Sequence, residues 1–109
     1  MTYDEGLAQR IRELLEDMPG FVEKKMFGGV CHLLDGHMFC GVYRDFLILR
    51  LGMEESNRAL ELPYVRPFDI TGRPMKGWVM VSREGSSTDE ELEVWLNKAR
   101  EWVKRLPPK

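Results

Sequence analysis

Apolar residues near the start of the chain recur at helical spacing, with Leu7, Ile11, Leu14, Leu15 and Met18 on one face. Thr2 followed by Glu5 resembles a capping box that would open this helix, and Pro19-Gly20 would end it. Between Lys25 and Leu51 the period changes to two. Asp35-Gly36 separates Val30-Cys31-His32-Leu33-Leu34 from His37-Met38-Phe39-Cys40-Gly41-Val42, and that dipeptide suits a two-residue turn with positive φ at both positions. Arg44-Asp45 turns the chain again into a third strand, Phe46 to Leu51. Met53 to Leu62 then reads as a short helix with a polar start, stopped by Pro63.

Two prolines and two glycines interrupt residues 66–77, so the pattern predicts an edge segment, a loop and a strand from Trp78. The last element is the clearest. Thr88 and Glu91 form a capping-box pair, and Leu92, Trp95, Leu96, Ala99, Trp102, Val103 and Leu106 keep helical spacing up to Pro107. This tryptophan-bearing stripe predicts core. The order α-β-β-β-α-β(β)-α predicts a two-layer α+β fold, an antiparallel sheet with helices packed on one face.

A length of 109 residues fits one domain, 1–109, and 43% apolar with 31% charged residues is the balance of a soluble globular protein. The formal net charge of −2 argues against coating nucleic acid or anionic membrane by bulk charge. Charge is uneven, however. Residues 63–83 carry Arg66, Arg73, Lys76 and Arg83 against Asp69 alone. The acidic start is not a signal peptide and no apolar run approaches a membrane span, so a cytoplasmic protein with reduced thiols is expected.

Cys31, His32, His37 and Cys40 fall within ten positions and invite a zinc reading. With a two-residue turn at Asp35-Gly36, Cys31 lies opposite Cys40 and His32 opposite Phe39. Side chains alternate between faces, so both cysteines would share one face and both histidines the other. Zinc is disfavoured on that geometry, and so is a cysteine nucleophile, because neither thiol would have a histidine base within reach. A cross-strand Cys31–Cys40 pair leaves two readings open, buried reduced thiols or a redox switch. No Gly-x-Ser-x-Gly, Walker loop or other catalytic motif occurs, and Gly28-Gly29 fits a bulge or a close backbone approach better than a phosphate loop. The expectation is a non-enzymatic chain without metal or cofactor.

The same register places Cys31, Leu33, Met38, Cys40, Val42, Leu47, Leu49 and Leu51 toward the core. The opposite face would hold His32, Leu34, His37, Phe39, Tyr43, Phe46, Ile48 and Arg50, with Arg50 across from Phe39 in cation–π contact. Such a face is too apolar for plain solvent. Either another segment covers it or it meets a partner, including a second copy of the chain.

Three stretches together resemble one family. They are Lys25-Met26-Phe27-Gly28-Gly29-Val30, the Asp35-Gly36-His37-Met38-Phe39 hairpin, and Arg66-Pro67-Phe68 with Gly72-Arg73-Pro74-Met75-Lys76-Gly77-Trp78-Val79. With the terminal Trp102…Leu106-Pro107-Pro108-Lys109, this chain is similar to the TfoX/Sxy N-terminal domain family over nearly its whole length. The resemblance implies a fold like that of type III secretion chaperones. It also implies kinship with regulators of competence genes that act alongside a transcription activator, and it supplies no catalytic residues. Founding members carry a second, C-terminal helical domain, whereas this chain is expected to be a stand-alone N-terminal domain.

The leading expectation is therefore a regulatory domain working through a transcription-related protein partner or as a homodimer, with no membrane role. The alternatives are direct nucleic-acid binding through the 66–83 basic stretch, with Trp78 or Phe68 stacking, and a small anionic-ligand pocket where Gly28-Gly29 approaches Arg73 and Lys76. The candidate binding residues are Lys25, Phe27, Gly28, Gly29, Arg50, Arg66, Arg73, Lys76 and Trp78.

Overall fold

A computed structural model describes residues 3–26, 28–69 and 72–107. Its elements are α1 (Glu5–Leu15), β1 (Phe21–Met26), β2 (Gly29–Leu34), β3 (His37–Tyr43), β4 (Phe46–Arg50), α2 (Gly52–Ala59), β5 (Val65–Pro67), β6 (Trp78–Val81) and α3 (Asp89–Val103). Six strands form one antiparallel sheet in the order β1-β2-β3-β4-β6-β5. The predicted α+β order holds, with β1 as a further strand at the leading edge of the meander. No helix among the described residues is long and apolar enough to cross a membrane.

All three helices contribute to the core on one face of the sheet. Leu7, Ala8, Ile11 and Leu15 of α1 and Leu92, Trp95, Leu96, Ala99 and Val103 of α3 meet Val30, Leu34, Phe39, Cys40, Val42, Leu47, Leu49, Val79 and Val81. Burying these side chains, the larger aliphatic and aromatic ones each stabilising by about 1.5–3 kcal/mol, is what binds the two layers. The Thr88 capping box forms in full, with Thr88 Oγ1 accepting from the Glu91 amide at 3.1 Å and Glu91 Oε1 accepting from the Thr88 amide at 3.2 Å. The first helix starts differently from the sequence reading. Thr2 lies outside the described residues, and the cap is Asp4, whose Oδ1 accepts from the Leu7 amide at 3.1 Å.

The β2–β3 hairpin corrects the predicted register. Asp35 and Gly36 adopt φ of 52° and 86°, the two-residue turn that the sequence predicts, and Leu34 pairs with His37 and Leu33 with Met38. Between His32 and Leu33 the ladder shifts, so that His32 pairs with Cys40 and Cys31 with Gly41. Phe39 is the extra residue of a bulge. Consecutive Phe39 and Cys40 both enter the helix-side core, and neither is exposed.

This one insertion exchanges faces on either side of it. His32, Leu34 and Phe39, expected on the outer face, lie against the helices. His37 joins them, its Nε2 donating to the Pro107 carbonyl at 2.6 Å. Cys31, Leu33 and Met38, expected in the core, alternate to the outer face. The two cysteines thus lie on opposite faces and are free, and the expected cross-strand Cys31–Cys40 pair does not form.

Candidate functional site

The outer face of the sheet has two halves. On β4 and β6, Ile48 and Met80 form with Phe68 a second, small core against which Tyr43, Phe46 and Trp78 pack. Phe68 arrives from the segment after β5 and is 4% exposed, so part of this apolar face is covered by the chain itself. Burial removes Phe68 from the residues available for stacking. On β1, β2 and β3 the same face carries Val22, which is 46% exposed, beside half-buried Leu33 and Met38.

Arginines roof the aromatic half. The Arg50 guanidinium carbon lies 5.7 Å from the Trp78 ring centroid, and that of Arg66 lies 5.7 Å from the Phe46 ring. At the β3–β4 turn, Arg44 stands 5.3 Å from the Tyr43 ring. The expected Arg50–Phe39 contact is replaced by Arg50–Trp78, because the bulge sends Phe39 inward and β6 brings Trp78 directly opposite Arg50. Such pairs hold each cation over a ring face and are worth about 0.5–1 kcal/mol where exposed.

Beside Arg50 the sheet ends in a cleft of about 340 Å³, lined by Lys76, Gly77, Trp78, Trp102, Gly52, Met53 and Glu54. Gly52, with φ of 82°, lets the chain pass directly under the Trp102 indole, where any Cβ would press on the ring. A larger groove of about 480 Å³ adjoins it between α2 and α3, floored by Leu51 and Trp102.

Three of the predicted site residues, Arg50, Lys76 and Trp78, therefore meet at this end of the sheet, while Arg66 shares the outer face but reaches the Phe46 ring toward the other end of β4. Arg73 is exposed on the loop between β5 and β6. Lys25 faces the helix side of β1, paired with Val30, and its neighbour Lys24 takes the outer face. Phe27 lies outside the described residues. Gly28 turns with φ of 74°, and Gly29 packs so tightly that a Cβ would collide with the Val42 carbonyl, the close backbone approach that the sequence predicts. These glycines sit at the Val42–Tyr43 end of the sheet, while the loop bearing Arg73 and Lys76 leaves from the opposite end. The anion pocket expected between them is not assembled. Sequence reasoning placed Phe46 on this outer face without naming it a binding residue, and it missed Trp102 and Arg44 as site residues, because their roles come from neighbours in the folded chain.

The bulge also changes the chemistry of the cysteine–histidine cluster. Cys40 stands opposite His32 on one face, contrary to the predicted separation of thiols from imidazoles. The pairing does not activate the thiol. Both side chains are fully buried, the ring Nε2 is committed to Glu23 Oε2 at 2.9 Å, and Nδ1 has no hydrogen-bond partner. Burial, reinforced by the nearby Cys31, pushes the Cys40 pKa well up, and burial pushes Cys31 to about 11. Among the described residues, no three His, Cys, Asp or Glu side chains gather as a metal site.

No curated protein and no solved structure matches the chain. The profile of the TfoX N-terminal domain does, over residues 13–102. That span runs from α1 to the last turn of α3 and takes in the whole sheet, its arginine-roofed aromatic face and the cleft beside Trp102. This α+β chain belongs to the TfoX N-terminal domain family.

Proposed function

We propose that the chain is a non-enzymatic regulatory domain of the cytoplasm that acts by docking a protein partner on the uncovered half of its outer sheet face. The observation that carries this reading is the patch of Val22, Leu33 and Met38 on β1, β2 and β3, which no segment among the described residues covers as Phe68 covers Ile48 and Met80. An apolar surface left open beside one sealed by the same fold is a feature of interaction surfaces. Membership of the TfoX N-terminal domain family supports a regulatory role. The Cys40–His32 pair, inaccessible and with its thiol held protonated, supports the non-enzymatic part.

The test is affinity capture from cell extract with the tagged chain and with a Val22→Glu, Met38→Glu double variant whose fold is checked by circular dichroism. A partner held by the wild type and released by the variant is the expected result. Identical capture by both proteins would place docking elsewhere. Light scattering at high concentration addresses the homodimer form, which a strictly monomeric species removes.

A further inference from the structure

We infer that the arginine-roofed half of the sheet face, built from Arg50, Arg66, Phe46 and Trp78, binds single-stranded nucleic acid. The inference goes beyond the protein-docking reading and does not depend on it.

The first observation is a separation of charge. The chain is net acidic at −2, yet no aspartate or glutamate occupies an outer-face strand position among the described residues. The strand acid, Glu23, pairs with His32 on the helix side. Other acids lie on helices, turns and loops. The outer strand positions instead carry Lys24, Arg50 and Arg66, with Arg44 at the adjoining turn. A summed charge that argues against nucleic acid thus conceals a face whose charged strand positions are all basic, and it is the local field that recruits a polyanion.

The second observation is how those cations are held. Guanidinium groups seated over Trp78 and Phe46 are ordered before any ligand arrives, which reduces the conformational cost of binding. Unstacked bases stack on both aromatic rings and guanidinium planes, and the arginine N–H groups reach phosphates. The cleft next to Arg50 extends this platform between Trp78 and Trp102. Glu54 on its rim disfavours a phosphate there, so the cleft suits a base, with Lys76 on its margin.

Other occupants fit less well. A duplex needs an element that enters a groove, and a flat sheet face presents none. A second copy of the chain would set arginine against arginine. An acidic protein segment would satisfy the charges and leave the aromatic platform without a role.

The experiment is fluorescence anisotropy of a labelled twelve-residue oligothymidylate titrated with the full chain at low and moderate salt. Binding should weaken with salt at a log–log slope of about −2, as three neutralised phosphates on a single strand give. Arg50→Gln with Arg66→Gln should weaken it at least tenfold and flatten the slope by about 1.4. Arg50→Lys with Arg66→Lys should keep the slope and lose affinity several-fold, because charge is retained and the planar stack is not. Lys98→Gln with Lys104→Gln, the same charge change on α3 and its C-cap, should leave binding unaltered. No binding at low salt would overturn the inference, as would an equal loss from the α3 variant. Displacement by polyglutamate as readily as by unlabelled oligothymidylate would also overturn it and assign the face to an acidic protein.

Discussion

His32 Nε2 donates to Glu23 Oε2 across 2.9 Å, and the imidazole that makes this bond has no exposure to solvent. Arg12 grips the same carboxylate from α1, with Nη2 at 3.1 and 3.2 Å from its two oxygens. Phe21 stacks on the ring at 5.6 Å. The cluster ties α1, β1 and β2 together. Burial lowers the His32 pKa below its ordinary 6.5, against the opposing pull of Glu23. Burial alone would raise the Glu23 pKa, but hydrogen bonds from Arg12 and His32 outweigh it and leave the carboxyl below its ordinary 4.5.

Both groups bind fewer protons folded than unfolded, so acid favours unfolding. The His32 contribution is complete above the unfolded value near 6.5 and declines as pH falls below it, while Glu23 adds its own loss below about 4.5. Urea denaturation midpoints should therefore fall from pH 7 to pH 5, and His32→Gln should flatten that interval. A wild-type midpoint constant over the interval would mean that the folded imidazole accepts its proton freely.

The bulge makes opposite predictions for neighbouring residues. Phe39→Ala should cost about 3–5 kcal/mol, the range for a core phenylalanine, because Phe39 is fully buried against the helices. Met38→Ala, on the half-buried outer face, should cost about 1 kcal/mol or less. Chemical denaturation of both variants decides it, and the reverse order would restore the unbulged register.

Thiol chemistry should follow burial. Cys31 and Cys40 are 4% and 0% exposed, so iodoacetamide at neutral pH should label neither in the folded protein and both after denaturation. Mild oxidation should yield no intramolecular disulfide, since Cys31 faces Gly41 and the thiols point from opposite sides of the sheet. A two-dalton mass loss in intact-protein spectra after oxidation of native protein would contradict this placement.

Gly29→Ala should destabilise by about 1–3 kcal/mol, because the new methyl meets a backbone carbonyl that cannot swing aside. Thr88→Ala should cost about 1 kcal/mol through loss of the α3 capping box. Thermal melts of the two variants check both figures. A neutral Gly29→Ala would show that the β2–β3 strands part more easily than their ladder implies.

Much of this protein is written in local sequence. Helical spacing from Leu92 to Val103, the Thr88–Glu91 cap and the Asp35-Gly36 turn act over a few residues, so they define α3 and the hairpin without reference to the rest of the chain. Element order and the α+β class follow from that punctuation. The bulge does not, because an alternating pattern reads the same whether or not one residue is skipped. Only packing Phe39 under α1 and α3 selects the skip. Nor could linear charge reveal a basic face, since Arg50, Arg66 and Trp78 come to share one side of the sheet only when β4, β6 and β5 align. Sequence set the strands and helices through local backbone and periodicity preferences. Tertiary structure decided which side of the sheet each residue serves, because facing is settled by what the opposing layer can bury.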